Sequence, residues 1–364
     1  LADAQITTRD IDRGDSPHFL LKEIGEAPAS FRKTLRGKLV EQDGRPAVVL
    51  GDDVLSPAVR DGLRTGAIRR ILAIGQGTAA VASRALEEAL AAFAPDASIA
   101  VESILATELS GFHLADEMDD TLVVAVSQSG TTTDTNRTVD LVRARGAHVV
   151  AIVNRRNSDL TDRADGVLYT SDGRDVEMSV ASTKAFYSQI AACFLLAAAI
   201  ADALGARSAE RDAVLEELRR IPEAMDRTMA LRADIARAAQ LVAPSRRYWA
   251  IVGNGANRIA AEEVRIKLSE LCYKAIACDG TEDKKHIDLS SEPLILVCAA
   301  GLQGSTADDV AKEVAIYRAH KAAPVVIASE GEERFSTALD VIAVPSVHPR
   351  LAFVPSAMVG HLFG

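Results

Sequence analysis

The sequence predicts an α/β protein of two tandem domains, each a three-layer α/β/α sandwich around a parallel sheet. Three observations predict it. The chain has 364 residues, more than one ordinary domain holds. Short apolar runs without polar alternation recur along it, as in strands buried on both faces, and helical runs separate them. One plan is also used twice. RRILAIGQGTAAVASRALEE at 69 is matched by RRYWAIVGNGANRIAAEEVRI at 246. TLVVAVSQSGTTTDT at 121 is matched by PLILVCAAGLQGSTADD at 293, and AHVVAIVN at 147 by APVVIAS at 323.

Residues 1–44 show no strand pattern and are read as an N-terminal helical segment. Within them HFLLKEIGEAPASFRKTL predicts a helix packed outside the first domain. The first domain is placed at 45–205, with strands near 70–74, 99–104, 122–126, 148–153 and 167–170. Its most apolar stretch, Ile190 to Ala203, is too short for a bilayer span and contains Asp202, so it predicts a buried helix. Residues 206–243 are rich in Ala, Arg and Glu and read as connecting helices broken at Pro222. The second domain is placed at 244–364, with strands near 247–252, 274–278, 294–298, 324–328 and 340–344.

Composition narrows the function. A net charge of -10 argues against nucleic-acid binding, which wants a basic stripe, and 4% aromatic residues leave little for base stacking. Cys193, Cys272, Cys278 and Cys298 form no C-x-x-C pair, so no metal site is expected and a reducing cytoplasm fits. The opening Leu-Ala-Asp-Ala-Gln has neither a signal-peptide pattern nor an initiator Met, which reads as a piece of a longer protein. No membrane or nucleic-acid partner and no cofactor is expected.

The strongest local signal is Ser127-Gln128-Ser129-Gly130-Thr131-Thr132-Thr133-Asp134-Thr135. It follows an apolar strand and precedes a helical run, so it sits at a strand's carboxyl end, where α/β sheets bind ligands. Free N–H groups at a helix N-terminus, with added hydroxyls, suit a phosphate. A plain cap needs one hydroxyl, and this loop has six. Gly75-Gln76-Gly77-Thr78-Ala79-Ala80 formally matches a dinucleotide fingerprint. Glu102 lies too far along to serve as the ribose-binding acid, so a sugar-contacting or structural turn is the better reading.

Val180-Ala181-Ser182-Thr183-Lys184-Ala185-Phe186 opens the apolar helix. Ser182 or Thr183 could cap it or meet a ligand, and chemistry alone leaves both open. Glu263, Lys267, Glu270 and Lys274 fall on one helical stripe. A solvated face with a Glu263–Lys267 pair is the bland reading, and a general base beside a lysine is the sharper one. His286 stands in a charged stretch, where a lone histidine is usually surface.

These pieces, in this order, resemble the isomerase half of the glutamine–fructose-6-phosphate aminotransferases, which is built from two sugar isomerase (SIS) domains. The resemblance covers nearly the whole chain. SQSGTTTDT resembles the family's SQSGETADT loop, VASTKAF is identical to the family's motif, and IKLSELCY resembles LKLKEISY. His286 stands thirteen residues after Tyr273, as in the family. The resemblance implies a homodimer that binds a phosphorylated hexose or amino-hexose and works without a cofactor. It assigns Ser127, Gln128, Ser129 and Thr132 to the phosphate, and Val180, Ala181 and Ser182 to the sugar, with the turn Gly75-Gln76-Gly77 nearby. Glu270 becomes the base moving a proton between C1 and C2, with Lys267 and Glu263 beside it. His286 becomes the ring-opening group, reaching a neighbouring subunit.

The implied activity is conversion of fructose 6-phosphate and ammonia to glucosamine 6-phosphate. The alternatives are a related SIS isomerase or deglycase on another phosphorylated amino sugar, and a non-catalytic sugar-phosphate-binding regulator. Three departures from the family's pattern bear on this. Ile74-Gly75-Gln76-Gly77 replaces a Cys-Gly-Thr-Ser turn, removing two hydroxyls. Asp283-Lys284-Lys285-His286-Ile287-Asp288 replaces Glu-Leu-Lys-His-Gly-Pro. The family's C-terminal tail lysine and glutaminase domain have no counterpart in the sequence as given, which is therefore not expected to take nitrogen from glutamine.

Overall fold

Runs such as Leu122–Val126 and Ile295–Cys298 offer apolar side chains to both faces, so they are stable only with helices packed on either side. The computed structural model describes residues 12–364 and builds two such sheets. The first eleven residues of the expected N-terminal segment lie outside the described residues. Cα packing divides the chain into a unit ending at Arg219 and another starting at Arg220.

The first unit begins with α1 (Phe19–Leu35), the hairpin β1 (Leu39–Gln42) and β2 (Arg45–Val48), and α2 (Pro57–Thr65). Then come β3 (Arg70–Gly75), α3 (Thr78–Phe93), β4 (Ala100–Leu105), α4 (Ala106–Phe112), β5 (Thr121–Ser127), α5 (Thr133–Arg143), β6 (His148–Val153), α6 (Asp159–Arg163), β7 (Gly166–Tyr169) and α7 (Lys184–Ala203). The five parallel strands run in the order β4-β3-β5-β6-β7. Leu72, Ile74, Val123, Ala125, Val149 and Ala151 pack under α4, α5 and α6. The opposite face carries α3 and α7.

α7 is long and apolar enough to cross a membrane, but 94% of its apolar window is buried within the fold. It is a core helix, as a run apolar on all sides requires.

In the second unit, α9 (Arg232–Val242) precedes β8 (Trp249–Gly253), α10 (Asn257–Cys272), β9 (Ala277–Asp279), α11 (Thr281–Lys285), β10 (Leu294–Cys298), α12 (Gly304–Ala319), β11 (Ala323–Ser329), β12 (Asp340–Val344) and α13 (Phe353–Phe363). The remaining helix, α8 (Ala209–Ala230), contains the division between the units. The second sheet has the order β9-β8-β10-β11-β12, the same topology as the first, all parallel.

Two sequence expectations are corrected. The segment 1–44 is not wholly helical, because β1 lies within it and pairs antiparallel with β2. The signal was Asp43-Gly44, whose φ values of 51° and 72° suit a tight hairpin turn. The connecting helix does not break at Pro222. α8 runs through it, and the break falls at Leu231. Val214, Leu218, Ile221, Met225 and Thr228 form a continuous buried stripe, so burial on both sides of the proline outweighs one lost backbone hydrogen bond.

Candidate functional site

In the first sheet β3 is followed by β4 on one side and β5 on the other, so the chain reverses direction between β3 and β5. Loops at the carboxyl ends of these two strands therefore stand at the usual ligand position in open α/β sheets. The two loops are Gly75-Gln76-Gly77 and Ser127–Thr132. The unit also holds a cavity of about 740 Å³, but it lies against the β1–β2 hairpin and the start of α8, away from these strand ends.

The 127–132 loop is internally braced. Ser127 Oγ accepts from the Gly130 N–H at 3.0 Å. Ser129 Oγ accepts from the Thr131 N–H at 3.2 Å and from the Thr131 hydroxyl at 2.9 Å. The Gln128 carbonyl accepts from the N–H groups of Asn154 and Arg155, and the Gly130 carbonyl from Leu160 N–H and Asn136 Nδ2. Gly130 has φ 65°, and a β-carbon there would run into Ser158, so only glycine fits. Ser127 is buried, Gln128, Ser129 and Thr132 are half-buried, and Thr131 is exposed. Thr132 is the N-cap residue of α5 but makes no side-chain cap bond, so its hydroxyl is not committed to the helix.

The neighbouring turn is tight. A β-carbon on Gly75 would stand 2.8 Å from the backbone of Ala79 and Ala80, so this glycine lets α3 start directly over the strand end. Gln76 Nε2 is buried with no hydrogen-bond partner.

Ser182 and Thr183 do not cap α7. Thr183 Oγ1 is buried and unpartnered, and the helix start is held by Glu177. Its Oε1 accepts from the Thr183 and Ala185 N–H groups, both at 3.0 Å, and its Oε2 accepts from the Ser182 hydroxyl at 2.8 Å. A carboxylate at a helix N-terminus satisfies several orphan donors and meets the positive end of the dipole, which a hydroxyl cannot match. The rest of the segment is fastened to α1. Glu23 accepts from the Met178 and Ser179 N–H groups, and Lys184 Nζ donates to Glu26 at 2.7 Å and to the Val176 carbonyl at 2.8 Å. Burial works against the Lys184 ammonium, but the carboxylates of Asp175 and Glu26 hold its pKa above the usual value. Ala181 is buried, Ser182 half-buried, and Val180 is 99% exposed. Asn154 links the two regions, because its Nδ2 donates to the Thr170 carbonyl just beyond β7.

The stripe on α10 splits by burial within the second unit. Glu263 is fully buried and bonded to His361 of α13 at 3.2 Å. Lys267 is 2% exposed and pairs with the half-exposed Glu270 at 2.8 Å, three residues on. The solvated face of the bland reading therefore does not hold, because Glu263 and Lys267 are both buried; α13 covers Glu263 and His361 bonds to it. Lys274 lies over the Trp249 ring and donates to the Arg247 carbonyl. His286 ends α11, exposed, with Nε2 3.7 Å from Glu282.

A model of the SIS domain matches residues 67–199. That segment is similar to a SIS domain. Over 96% of its length it is 34% identical to glutamine–fructose-6-phosphate aminotransferase (isomerizing) of Symbiobacterium thermophilum, and over 95% it is 32% identical to that of Thermus thermophilus. It covers 56% and 55% of those proteins, so the chain spans about half the length of the curated relatives it matches. Its fold matches the C-terminal domain of glucosamine-fructose-6-phosphate aminotransferase from Francisella tularensis, with a TM-score of 0.85 and 21% identity over 97% of this chain and 96% of that one.

Within the first unit, sequence reasoning missed Glu23 and Glu177. Glu177 left one signal, a carboxylate five residues before the helix-opening serine. Glu23 left none, since its partners lie 155 and 156 residues away.

Proposed function

We propose that this chain is the sugar-phosphate module of an isomerising aminotransferase, converting fructose 6-phosphate and ammonia to glucosamine 6-phosphate. One observation carries the reading: the 127–132 loop at the sheet's reversal point holds Ser129, whose lone pairs are taken by Thr131 and whose proton is left for an anion, beside the Ser127–Thr132 hydroxyl pair, which keeps one free proton. Ser127, Gln128, Ser129 and Thr132 take the phosphate, and Val180, Ala181 and Ser182 line the sugar. Glu270 takes the proton from C1 and returns it to C2, with Lys267 holding its carboxylate. His286 assists ring opening. Glu263 stands beside Glu270 and Lys267 on the same helix stripe, bonded to His361.

The proposal extends to a homodimer in the cytoplasm. Tyr273 and Ile287 are exposed apolar side chains that a second copy would cover, and the four free thiols suit a reducing compartment. A second reading, a deglycase or isomerase for another phosphorylated amino sugar, draws on Gln76, whose buried amide stands where the family carries hydroxyls.

Calorimetry with fructose 6-phosphate, glucose 6-phosphate and glucosamine 6-phosphate tests both. Preference for fructose 6-phosphate supports the first reading and preference for an amino sugar the second. No binding at millimolar concentration overturns both. Glu270→Gln is expected to keep affinity and lose turnover by about 10²–10⁴-fold, and unchanged turnover would exclude Glu270 as the base.

A further inference from the structure

We infer that Glu177 sets the hydrogen-bond polarity of Ser182, so that this serine meets the ligand only as an acceptor and fixes which end of a sugar phosphate lies against it. The inference rests on the sugar-phosphate reading above.

A hydroxyl has one proton and two lone pairs. The Ser182 proton goes to Glu177 Oε2 at 2.8 Å. That acceptor cannot easily turn away, because the other oxygen of the same carboxylate holds the Thr183 and Ala185 N–H groups. Glu177 is thus locked as a helix cap, and Ser182 is locked to it. Only lone pairs of the half-buried Ser182 remain for a ligand.

Ser129 is arranged the opposite way. Two donors from Thr131 occupy its lone pairs and leave its proton free. Ser127 accepts from Gly130 N–H and shares a 3.5 Å contact with the Thr132 hydroxyl in which either oxygen can donate, so one proton of that pair stays free. Phosphate oxygens are acceptors, so they bond to Ser129 and to the Ser127–Thr132 pair and find no donor at Ser182. A sugar hydroxyl, or the nitrogen of an aminated sugar, donates and finds its partner at Ser182. The two sets of hydroxyls are therefore sorted by direction, and a hexose phosphate can satisfy both in one orientation only. Glu177 acts through Ser182 and is a positioning residue.

The test titrates inorganic phosphate and fructose 6-phosphate by calorimetry into the wild-type chain, Glu177→Gln, Ser182→Ala and the double variant. Glutamine keeps an acceptor for the helix N–H groups but can turn its amide N–H toward Ser182, reversing the hydroxyl. The expected result is a loss of about tenfold in fructose 6-phosphate affinity for each single variant, with inorganic phosphate unchanged. The double variant is expected to be no weaker than either single one, because the two residues act as one unit.

Additive losses, or loss of phosphate binding in Glu177→Gln, would make Glu177 a structural cap and overturn the inference. So would an unchanged fructose 6-phosphate affinity in Ser182→Ala, a variant that leaves the cap intact. A wild-type chain that binds phosphate but no sugar phosphate would fail earlier, in the substrate reading itself, and would take the inference with it.

Discussion

Glu23 lies 2% exposed against the N–H groups of Met178 and Ser179, and burial raises its carboxyl above its ordinary pKa of 4.5 although those N–H groups oppose the shift. The folded chain therefore binds this proton more tightly than the unfolded chain does. Stability contributed by the group is present below 4.5 and falls as pH rises from there through the raised folded value. Glu23→Gln removes the titration, so urea midpoints measured across that window should decline less with pH than in the wild type. An identical slope would show that Glu23 titrates as it does in the unfolded chain. The candidate hydroxyls at 127–132 were legible because they are consecutive in sequence. Glu23, which orders the 178–179 backbone, was not, since a buried acid is recognised by its partners and these lie 155 and 156 residues away.

Helix α7 shows how much an element owes to its surroundings. Residues 185–201 are all buried, and Phe194 meets Phe93 of α3 edge to face at 6.1 Å. Phe194→Ala should cost about 3–5 kcal/mol of stability, from lost transfer energy and the cavity left behind. Chemical denaturation measures it, and a loss below about 1 kcal/mol would mean the helix repacks freely. The sequence announced this helix by apolar composition but did not reveal its cap, because Ser182 and Thr183 look like better caps than a glutamate several residues upstream. Pro222 misled for a related reason. A proline's local penalty is visible in sequence, whereas the buried stripe that continues α8 past it becomes decisive only once packed.

The molecule repeats one topology but not one site. Both sheets reverse direction between their first and third strands. The first unit places Ser127–Thr132 there. The second places Ala299-Ala300-Gly301-Leu302-Gln303, with the Gly301 N–H bonded to Ser329 Oγ and the Ala300 carbonyl to Asn257. Phosphate binding should therefore reside in the first unit. Ser129→Ala is expected to weaken inorganic-phosphate binding about tenfold by calorimetry, and Ser305→Ala at the start of α12 to leave it unchanged. Equal effects would assign the anion to both units.

The sequence by itself determined the α/β class, the duplication, most strand positions and the hydroxyl loop. Each depends on periodicity or on neighbours along the chain, and those survive without coordinates. Tertiary structure decided which polar groups are committed: Glu177 to the start of α7, Glu263 to His361, Lys267 to Glu270, Glu23 to a backbone segment across the unit. Two of these partnerships join residues far apart in sequence, and burial, which makes a polar group need a partner, exists only in the folded chain.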